Sequence, residues 1–581
     1  MKVQRKNHIK FFLKYLKTQK LAVIVLIFVS LANIGMQLIN PQISRYFIDE
    51  ATKGNVGKNL TLAALMFIVV AFIAQIFSIL VSYTGQKVAW KTTNDIRIDL
   101  VEHCIDLDIS FHKEHNSGEL IERVDGDVSQ LFDLFSSIIL SVVNNLLLLI
   151  GILIVLFKEN IVIGASLTVF AIFAIYILWN VKSKTEVYWV RESEVNAEFY
   201  RFLGENISNA EDIVSSGARK YIMSKFYDMS RKMFPIIHNA DLTWATLWSV
   251  TLSIFGIGTI TAFSVSLYLW RQGLITVGTA YLIFNYTETL RRPIEQIRVS
   301  LQQLQSAGAS VVRVNDLFNV ESNLKYGKEK LEEDKSLKIE FNDVTFQYEE
   351  VIDVLKDISI KIDSGRVLGV LGHTGSGKTT LARLIVRMYD IQNGEILLNN
   401  KNITSIMEEE LTKNIAYVTQ DVQIFMATIR DNITMFKKDI KDEGIIEAIY
   451  DLGFKEWYEG LKDGLDTKLE MGSKSLSSGE AQLLAFVRLF LKNPKLIIFD
   501  EATSRIDSLT EELIENALDI LLKNRTCIII AHKLSTLNRA DDILLLGNGK
   551  VVESGERKGL LENKNSKYYN LIQHGIGEVL V

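Results

Sequence analysis

Cysteine is almost absent from this chain: two in 581 residues, Cys104 and Cys527, far apart and in unlike surroundings. That excludes a disulfide framework and a cysteine-rich metal site, and both read as ordinary small side chains. An excess of basic charge is missing too. A net charge of −5 and a pI near 6.0 give no general electrostatic case for nucleic acid, and no nucleic-acid partner is expected. The basic N-terminus lacks a small-residue cleavage site, and its long apolar run is followed by others, so it reads as a cytoplasmic N-terminus and not as a signal peptide. What the chain has in plenty is apolar sequence: 48% hydrophobic against 23% charged. It is too long for one ordinary core and too apolar for a wholly soluble protein, so two domains of unequal character are expected.

A bilayer core requires roughly 20 apolar residues of helix, because an unpaired backbone group in hydrocarbon costs several kcal/mol. Five uncharged stretches meet this: residues 21–44, 60–86, 134–157, 161–181 and 242–270. A sixth starts near Leu274, interrupted by Glu288 before Arg291, Arg292 and Pro293. The gaps at 158–160 and 271–273 are tiny, whereas those at 87–133 and 182–241 are long, charged and helix-periodic. Their Lys and Arg content, with the basic N-terminus, places the long gaps in the cytoplasm. Residues 7–20 carry Ile9, Phe12, Leu13 and Leu16 on one helical face, the pattern of an interfacial helix. Glu288 is a candidate cavity residue, and Asn144, Asn145, Trp244, Trp248, Tyr281 and Asn285 are candidate lining of an amphipathic cavity, with water-edge placement or core packing as the plainer alternatives.

After Leu324 the hydropathy falls, and residues 325–335 are polar and charge-rich, as in a linker. The expected organisation is a transmembrane domain over 1–324, a linker over 325–335, a nucleotide-binding domain over 336–575 and a tail over 576–581. In the second domain, Val367 to Gly372 reads as a buried strand running into Gly372-His373-Thr374-Gly375-Ser376-Gly377-Lys378-Thr379-Thr380 and then a helical stretch. This is a phosphate-binding P-loop in the strand-loop-helix setting it requires. Its glycines let backbone N–H groups close around phosphate oxygens at a helix N-terminus. ATP is the expected cofactor, with Lys378 reaching the β- and γ-phosphates and the Thr379 hydroxyl a ligand of Mg²⁺. A second apolar strand, Leu496 to Phe499, ends in Asp500 and Glu501. Asp500 is expected in the Mg²⁺ shell, and Glu501 beside the attacking water.

At these motifs the sequence resembles the ATP-binding cassette family, and within it the exporter-type half transporters, over nearly the whole chain. Leu476-Ser477-Ser478-Gly479-Glu480 is similar to the family signature Leu-Ser-Gly-Gly-Gln. The resemblance implies that Tyr348 stacks on adenine, that Gln420 senses Mg²⁺ and water, that 504–507 crosses a dimer interface and that His532 contacts the γ-phosphate. It also implies coupling helices within 108–117 and near 208–215 that rest on nucleotide domains. The implied fold is multidomain: a six-helix α transmembrane domain plus an α/β P-loop nucleotide-binding domain with a helical subdomain. The implied function is ATP-driven export across the cell membrane by alternating access. The lipid bilayer is one partner and an amphipathic or hydrophobic substrate (drug, lipid or peptide) another.

The signature departs from the family pattern. Ser478 stands where glycine allows close backbone approach, and Glu480 replaces glutamine, setting a negative charge near another anion. Glu470, Met471 and Ser473 align with a usual Gly-Glu pair and a later Gly. Ser477 and Gly479 survive, as do Lys378, Asp500, Glu501, Gln420 and His532. An intact Walker side with an altered signature resembles one member of an asymmetric heterodimer, so the expected partner is a different half transporter. A homodimeric exporter or flippase, and a non-transporting membrane ATPase or gated channel, remain open alternatives. The first span begins almost at once, so no N-terminal peptidase of the kind some peptide exporters carry is expected.

Overall fold

The computed structural model describes residues 14–574 apart from 55–56, 137–141, 333–335, 349–352, 470–475, 501–507 and 532–535. The chain forms two compact units: Met1–Asp106 with His115–Glu321, and Leu107–Glu114 with Ser322–Val581. The first half of the expected interfacial helix at 7–20, residues 7–13, lies outside the described residues. Its end is tied down, with the Tyr15 hydroxyl donating to Asp99 at 2.9 Å and Gln19 Nε2 to Thr92 at 3.0 Å.

The first unit is helical: α1 (Lys20–Thr52) and α2 (Lys58–Asp106), then, beyond the short α3 (Ile109–Glu114) of the other unit, α4 (Val128–Ser136), α5 (Asn144–Glu159), α6 (Ile161–Ser208), α7 (Ala210–Ser215), α8 (Arg219–Arg271), α9 (Val277–Thr289) and α10 (Arg291–Phe318). Large apolar side chains point outward along them; Leu21 is 79% exposed and Phe72 68%. Such a surface is stable only against hydrocarbon. Among the described residues four segments are long and apolar enough to span: Lys14–Thr52, Lys58–Asp106, Ile161–Val181 and Arg219–Arg271. The two other expected spans fall short of that test for identifiable reasons. Helix α5 has 16 residues and follows the undescribed 137–141, and α9 has 13 before the chain enters Arg291-Arg292-Pro293. Both nevertheless pack as core: Ile152 and Leu156 of α5 and Leu282, Ile283 and Tyr286 of α9 are fully buried in one cluster with α1, α6 and α8.

Helix continues well beyond the apolar runs. Helices α2 and α8, of 49 and 53 residues, measure about 75–80 Å at 1.5 Å per residue, against a hydrocarbon core of about 30 Å. Each is therefore a rigid lever reaching far past the bilayer. At one polar end Asp127 is clamped by Arg313, whose Nε donates to Oδ2 at 2.9 Å and whose Nη2 donates to Oδ1, and by Arg123 at 3.2 Å. Burial alone pushes the Asp127 carboxyl up, but hydrogen bonds from Arg313, Ser310 and Arg123 outweigh it and hold the group below the usual carboxylate range.

The second unit has two sheets. Strands β1 (Ile339–Phe346), β2 (Leu355–Ile362), β4 (Asn393–Leu398) and β5 (Lys401–Asn402) form an antiparallel sheet in the order β2-β1-β4-β5. The other runs β10-β9-β3-β8-β7-β6, with β3 (Val367–Leu371), β6 (Ile415–Val418), β7 (Leu496–Asp500), β8 (Thr526–Ile530), β9 (Asp542–Gly547) and β10 (Lys550–Glu556). Its pairings from β9 through β6 are parallel, and every residue of β3, β7 and β8 is buried, as helices on both faces of a parallel sheet dictate. Those helices include α11 (Lys378–Ile385), α12 (Ile429–Thr434), α13 (Asp442–Asp451), α14 (Ser478–Lys492) and α15 (Ser508–Leu521). Because β3 and β7 run parallel with β8 between them, their carboxyl ends open on the same edge of the sheet, where open α/β folds bind ligands.

Candidate functional site

Strand β3 ends at Leu371, and the chain turns through Gly372, Gly375 and Gly377 before α11 begins at Lys378. Gly377 has φ +102°, and a Cβ there would stand 2.5 Å from Leu355 Cδ2 and 3.2 Å from the Val354 carbonyl, so only glycine closes the loop. Gly375 also has positive φ, at +83°. The result is a curl of backbone N–H groups at the N-terminus of α11, a ready anion cradle. Lys378 is buried and donates from Nζ to the carbonyls of Gly372 (2.8 Å) and His373 (3.0 Å), which holds its ammonium against the loop. Ser376 is fully buried with a hydroxyl that has no partner among the described residues. Such an orphan costs about 1–3 kcal/mol, a cost that an oxyanion in the cradle would remove. Thr374 is exposed, Thr379 half-buried and Thr380 buried.

Asp500 closes β7 with 5% exposure, and its Oδ2 accepts from the Tyr417 hydroxyl at 2.8 Å. Burial first, and then the neighbouring carboxylate, push the Tyr417 phenol far above its ordinary value, so it stays a donor. Gln420 lies exposed, two residues beyond the end of β6. Thr379, Gln420 and Asp500 offer hard oxygen donors of the kind Mg²⁺ takes. The described residues contain no group of three His, Cys, Asp or Glu able to hold a metal alone. Glu501 and His532 lie outside the described residues, as do Glu470, Met471, Ser473 and 504–507.

Tyr348 is 38% exposed. Its hydroxyl shares a 3.0 Å hydrogen bond with Thr380 Oγ1 on α11 and accepts one of 3.4 Å from Arg383, and its ring meets Phe346 and Tyr389 edge-to-face at 4.9 and 5.1 Å. An aromatic ring is thereby fixed to the helix that carries the phosphate cradle.

The signature segment starts α14. Ser477 is its N-cap, accepting the Glu480 N–H at 3.2 Å, while Glu480 Oε2 accepts the Ser477 N–H at 2.7 Å. The sequence signal for this reciprocal capping box is Ser-x-x-Glu, so Glu480 acts here as a cap as well as a charge. The Ser477 hydroxyl keeps its own proton for another acceptor. Gly479 is buried in the first turn. Further along α14, Arg488 donates to the carbonyls of Asn432 (2.6 Å) and Gln423 (3.2 Å), binding this helix to the segment that follows Gln420. Burial lowers its guanidinium to about 10. Nothing in the local sequence announces that link, because its partners lie 56 and 65 residues away.

Residues 355–504 match the ABC transporter family and 23–294 the ABC transporter transmembrane region. A Staphylococcus aureus ATP-binding/permease protein assigned by name to multidrug export is 30% identical over 572 residues, 96% of this chain and 98% of its own. The Bacillus subtilis ABC transporter ATP-binding protein YfiC, itself uncharacterized, is 27% identical over 95% of this chain and 91% of its own. Among solved structures, a bacterial Atm1-family ABC exporter with ATP bound has the same fold, with a TM-score of 0.81 at 22% identity, covering 96% of this chain and 99% of the other.

Proposed function

Because the chain belongs to the ABC transporter family, as an exporter-type half transporter of the cell membrane that hydrolyses ATP to drive export, we propose that it moves an amphipathic substrate as one member of an asymmetric pair. The observation that carries this reading is the P-loop at the end of β3, with Lys378 held in it and Ser376 Oγ unpartnered, on a chain whose other unit turns apolar helices outward.

In this reading Gly372, Thr374, Gly375, Ser376, Gly377, Lys378, Thr379 and Thr380 hold the triphosphate, and Tyr348 takes the adenine. Thr379, Asp500 and Gln420 would hold Mg²⁺, which when bound offsets phosphate charge. Tyr417 keeps the Asp500 carboxylate aimed. The resemblance to the family supports Glu501 as the group that orients or deprotonates water, and His532 as a γ-phosphate contact. Domain limits at 324 and 336 remain part of the same proposal.

Support for an amphipathic substrate lies in the membrane unit. A groove of about 720 Å³ between α2 and α4 is lined by Gln75, Ser78, Ser82 and Gln86 on one helical stripe, with Tyr83, Trp90 and Phe132 as apolar walls. The groove runs from the second half of the apolar run to its polar end, where Lys87 also lines it; its amides and hydroxyls suit a polar group and its aromatic walls an apolar body. Tyr281 lines a separate, mostly apolar cavity of about 450 Å³. Glu288 accepts a 3.0 Å hydrogen bond from Thr259, and Trp244 stacks on Trp248.

Support for an unlike partner rests on Ser478 and on residues 470–473. Glu480 no longer argues for it by charge alone, since its carboxylate is turned back onto Ser477. The partner would bring a glycine-containing signature to this chain's phosphate cradle. The test is reconstitution with a second, different half transporter in inside-out proteoliposomes. ATP-dependent uptake of a fluorescent amphiphile, lost in Glu501→Gln, is expected. Equilibration down a gradient without ATP turnover would instead indicate a gated channel.

A further inference from the structure

Helix α3 comes from the first long cytoplasmic loop, yet it belongs to the nucleotide unit. Asp108 anchors it at both oxygens: Oδ1 accepts the Phe111 N–H at 3.1 Å and Oδ2 the Asn323 N–H at 2.7 Å, and Phe111 is buried. This fixed turn sets Lys113 Nζ 4.3 Å from the centroid of the Tyr348 ring and 5.1 Å from that of Tyr389. The two rings stand 5.1 Å apart at 84°. An ammonium close to both centroids occupies the corner between two nearly perpendicular rings, on the Tyr389 side of Tyr348. A cation so placed over aromatic faces is attracted by both quadrupoles. The Tyr348 hydroxyl is held by Thr380 and its ring meets Phe346 edge-to-face, so the ring is gripped by the hydroxyl, by Phe346 and by Lys113 together, while 38% of the residue stays exposed.

We propose that Lys113 is a positioning residue for the nucleotide base: its ammonium braces Tyr348 in the orientation in which the ring meets adenine, and it links base occupancy to the first cytoplasmic loop. The inference rests on the reading of Tyr348 as the base-stacking ring. The link has a direct physical form. If the Lys113 contact favours the ring orientation that adenine needs, then adenine favours the position of α3 that Lys113 needs, because coupling between two binding events is reciprocal. Helix α3 follows directly on the 49-residue α2, so what orders α3 acts on the end of a membrane-crossing lever. The sequence alone marks Lys113 only as one basic residue in a charged loop, and its aromatic partners lie more than two hundred residues further on.

The experiment measures ATP binding to the full-length assembled transporter by competition with a fluorescent nucleotide, alongside competition by inorganic tripolyphosphate, which has no base. Lys113→Ala should weaken ATP by about 3- to 10-fold, the range of a partly exposed cation–π contact, and leave tripolyphosphate within about twofold. In steady-state hydrolysis the KM for ATP should rise more than kcat falls. Lys113→Arg, whose guanidinium also stacks on aromatic faces, should restore ATP binding. In a Tyr348→Leu background Lys113→Ala should cause no further loss, since the coupling partner is gone. Equal weakening of ATP and tripolyphosphate, or an undiminished effect in the Tyr348→Leu background, would overturn the proposal and leave the base site intact. If wild-type protein binds the two ligands equally well, or if Tyr348→Leu leaves ATP binding unchanged, the base-stacking reading of Tyr348 fails and takes the proposal with it.

Discussion

Glu480 gives the sharpest single perturbation, because two accounts of it differ by orders of magnitude. If its carboxylate faced a bound phosphate at about 5 Å, an effective dielectric of about 20 would make the repulsion roughly 3 kcal/mol, more than 100-fold in ATP affinity. The structure has the carboxylate accepting the Ser477 N–H at 2.7 Å in a capping box instead. Glu480→Gln keeps that acceptor and removes the charge, so ATP affinity of the assembled transporter should change by less than about threefold and the melting temperature by about a degree. Glu480→Ala removes the acceptor. Loss of one half of an exposed cap costs about 0.5–1.5 kcal/mol, which for a unit of this size lowers the melting temperature by about 2–4 °C. The assay is nucleotide titration and differential scanning fluorimetry on the same detergent-purified preparations. A hundredfold gain in ATP affinity in Glu480→Gln would refute the capping account and restore charge repulsion as the meaning of this residue.

Three further outcomes follow from other contacts. Tyr417→Phe removes a donor from the nearly buried Asp500 carboxylate; at about 1.5–3 kcal/mol for a hydrogen bond to a charged group, the Mg²⁺ dependence of hydrolysis should shift to higher concentration, and an unchanged Mg²⁺ titration would contradict the aiming role. Gly377→Ala forces a side chain into φ +102° and against Leu355, so nucleotide binding should be lost while the unit remains folded by circular dichroism; retained binding would show that the loop closes another way. Asp127, whose carboxyl is held below the usual range, stabilises the folded state above its unfolded pKa of about 4, and that contribution is lost as pH falls through the lower folded value. Melting of the wild type should therefore show no pH dependence from this group between pH 6 and 8, where its stabilisation is fully present, whereas Asp127→Asn should melt lower throughout that range. Identical melting of the two proteins at pH 7 would refute the clamp.

Much of the site was legible because its signals are local. Strand β3, the glycines after it and helix α11 occupy 19 consecutive residues, from Val367 to Ile385, and short helices occur where coupling helices were expected, at Ile109–Glu114 and Ala210–Ser215. The membrane helices were legible only in their apolar parts. The apolar run of α2 stops near 86 but the helix continues to Asp106, and that of α8 starts near 242 but the helix begins at Arg219, because helical periodicity extends beyond the apolar content. Contacts across long sequence separations left no local trace: Tyr417 with Asp500, Arg488 with Gln423, and Lys113 with Tyr348 all depend on the sheet and α3 being in place. The capping box at Ser477 is legible as Ser-x-x-Glu, but the same Glu480 also reads as a charge facing phosphate, and sequence alone does not say which way its carboxylate turns.

The most direct measurement of the central claim is ATP hydrolysis by this chain purified alone, compared with the chain coexpressed with a second, different half transporter. The account predicts slow turnover alone and a large gain in the pair, abolished by Glu501→Gln in this chain. A stable homodimer with brisk ATPase that Glu501→Gln abolishes would contradict it.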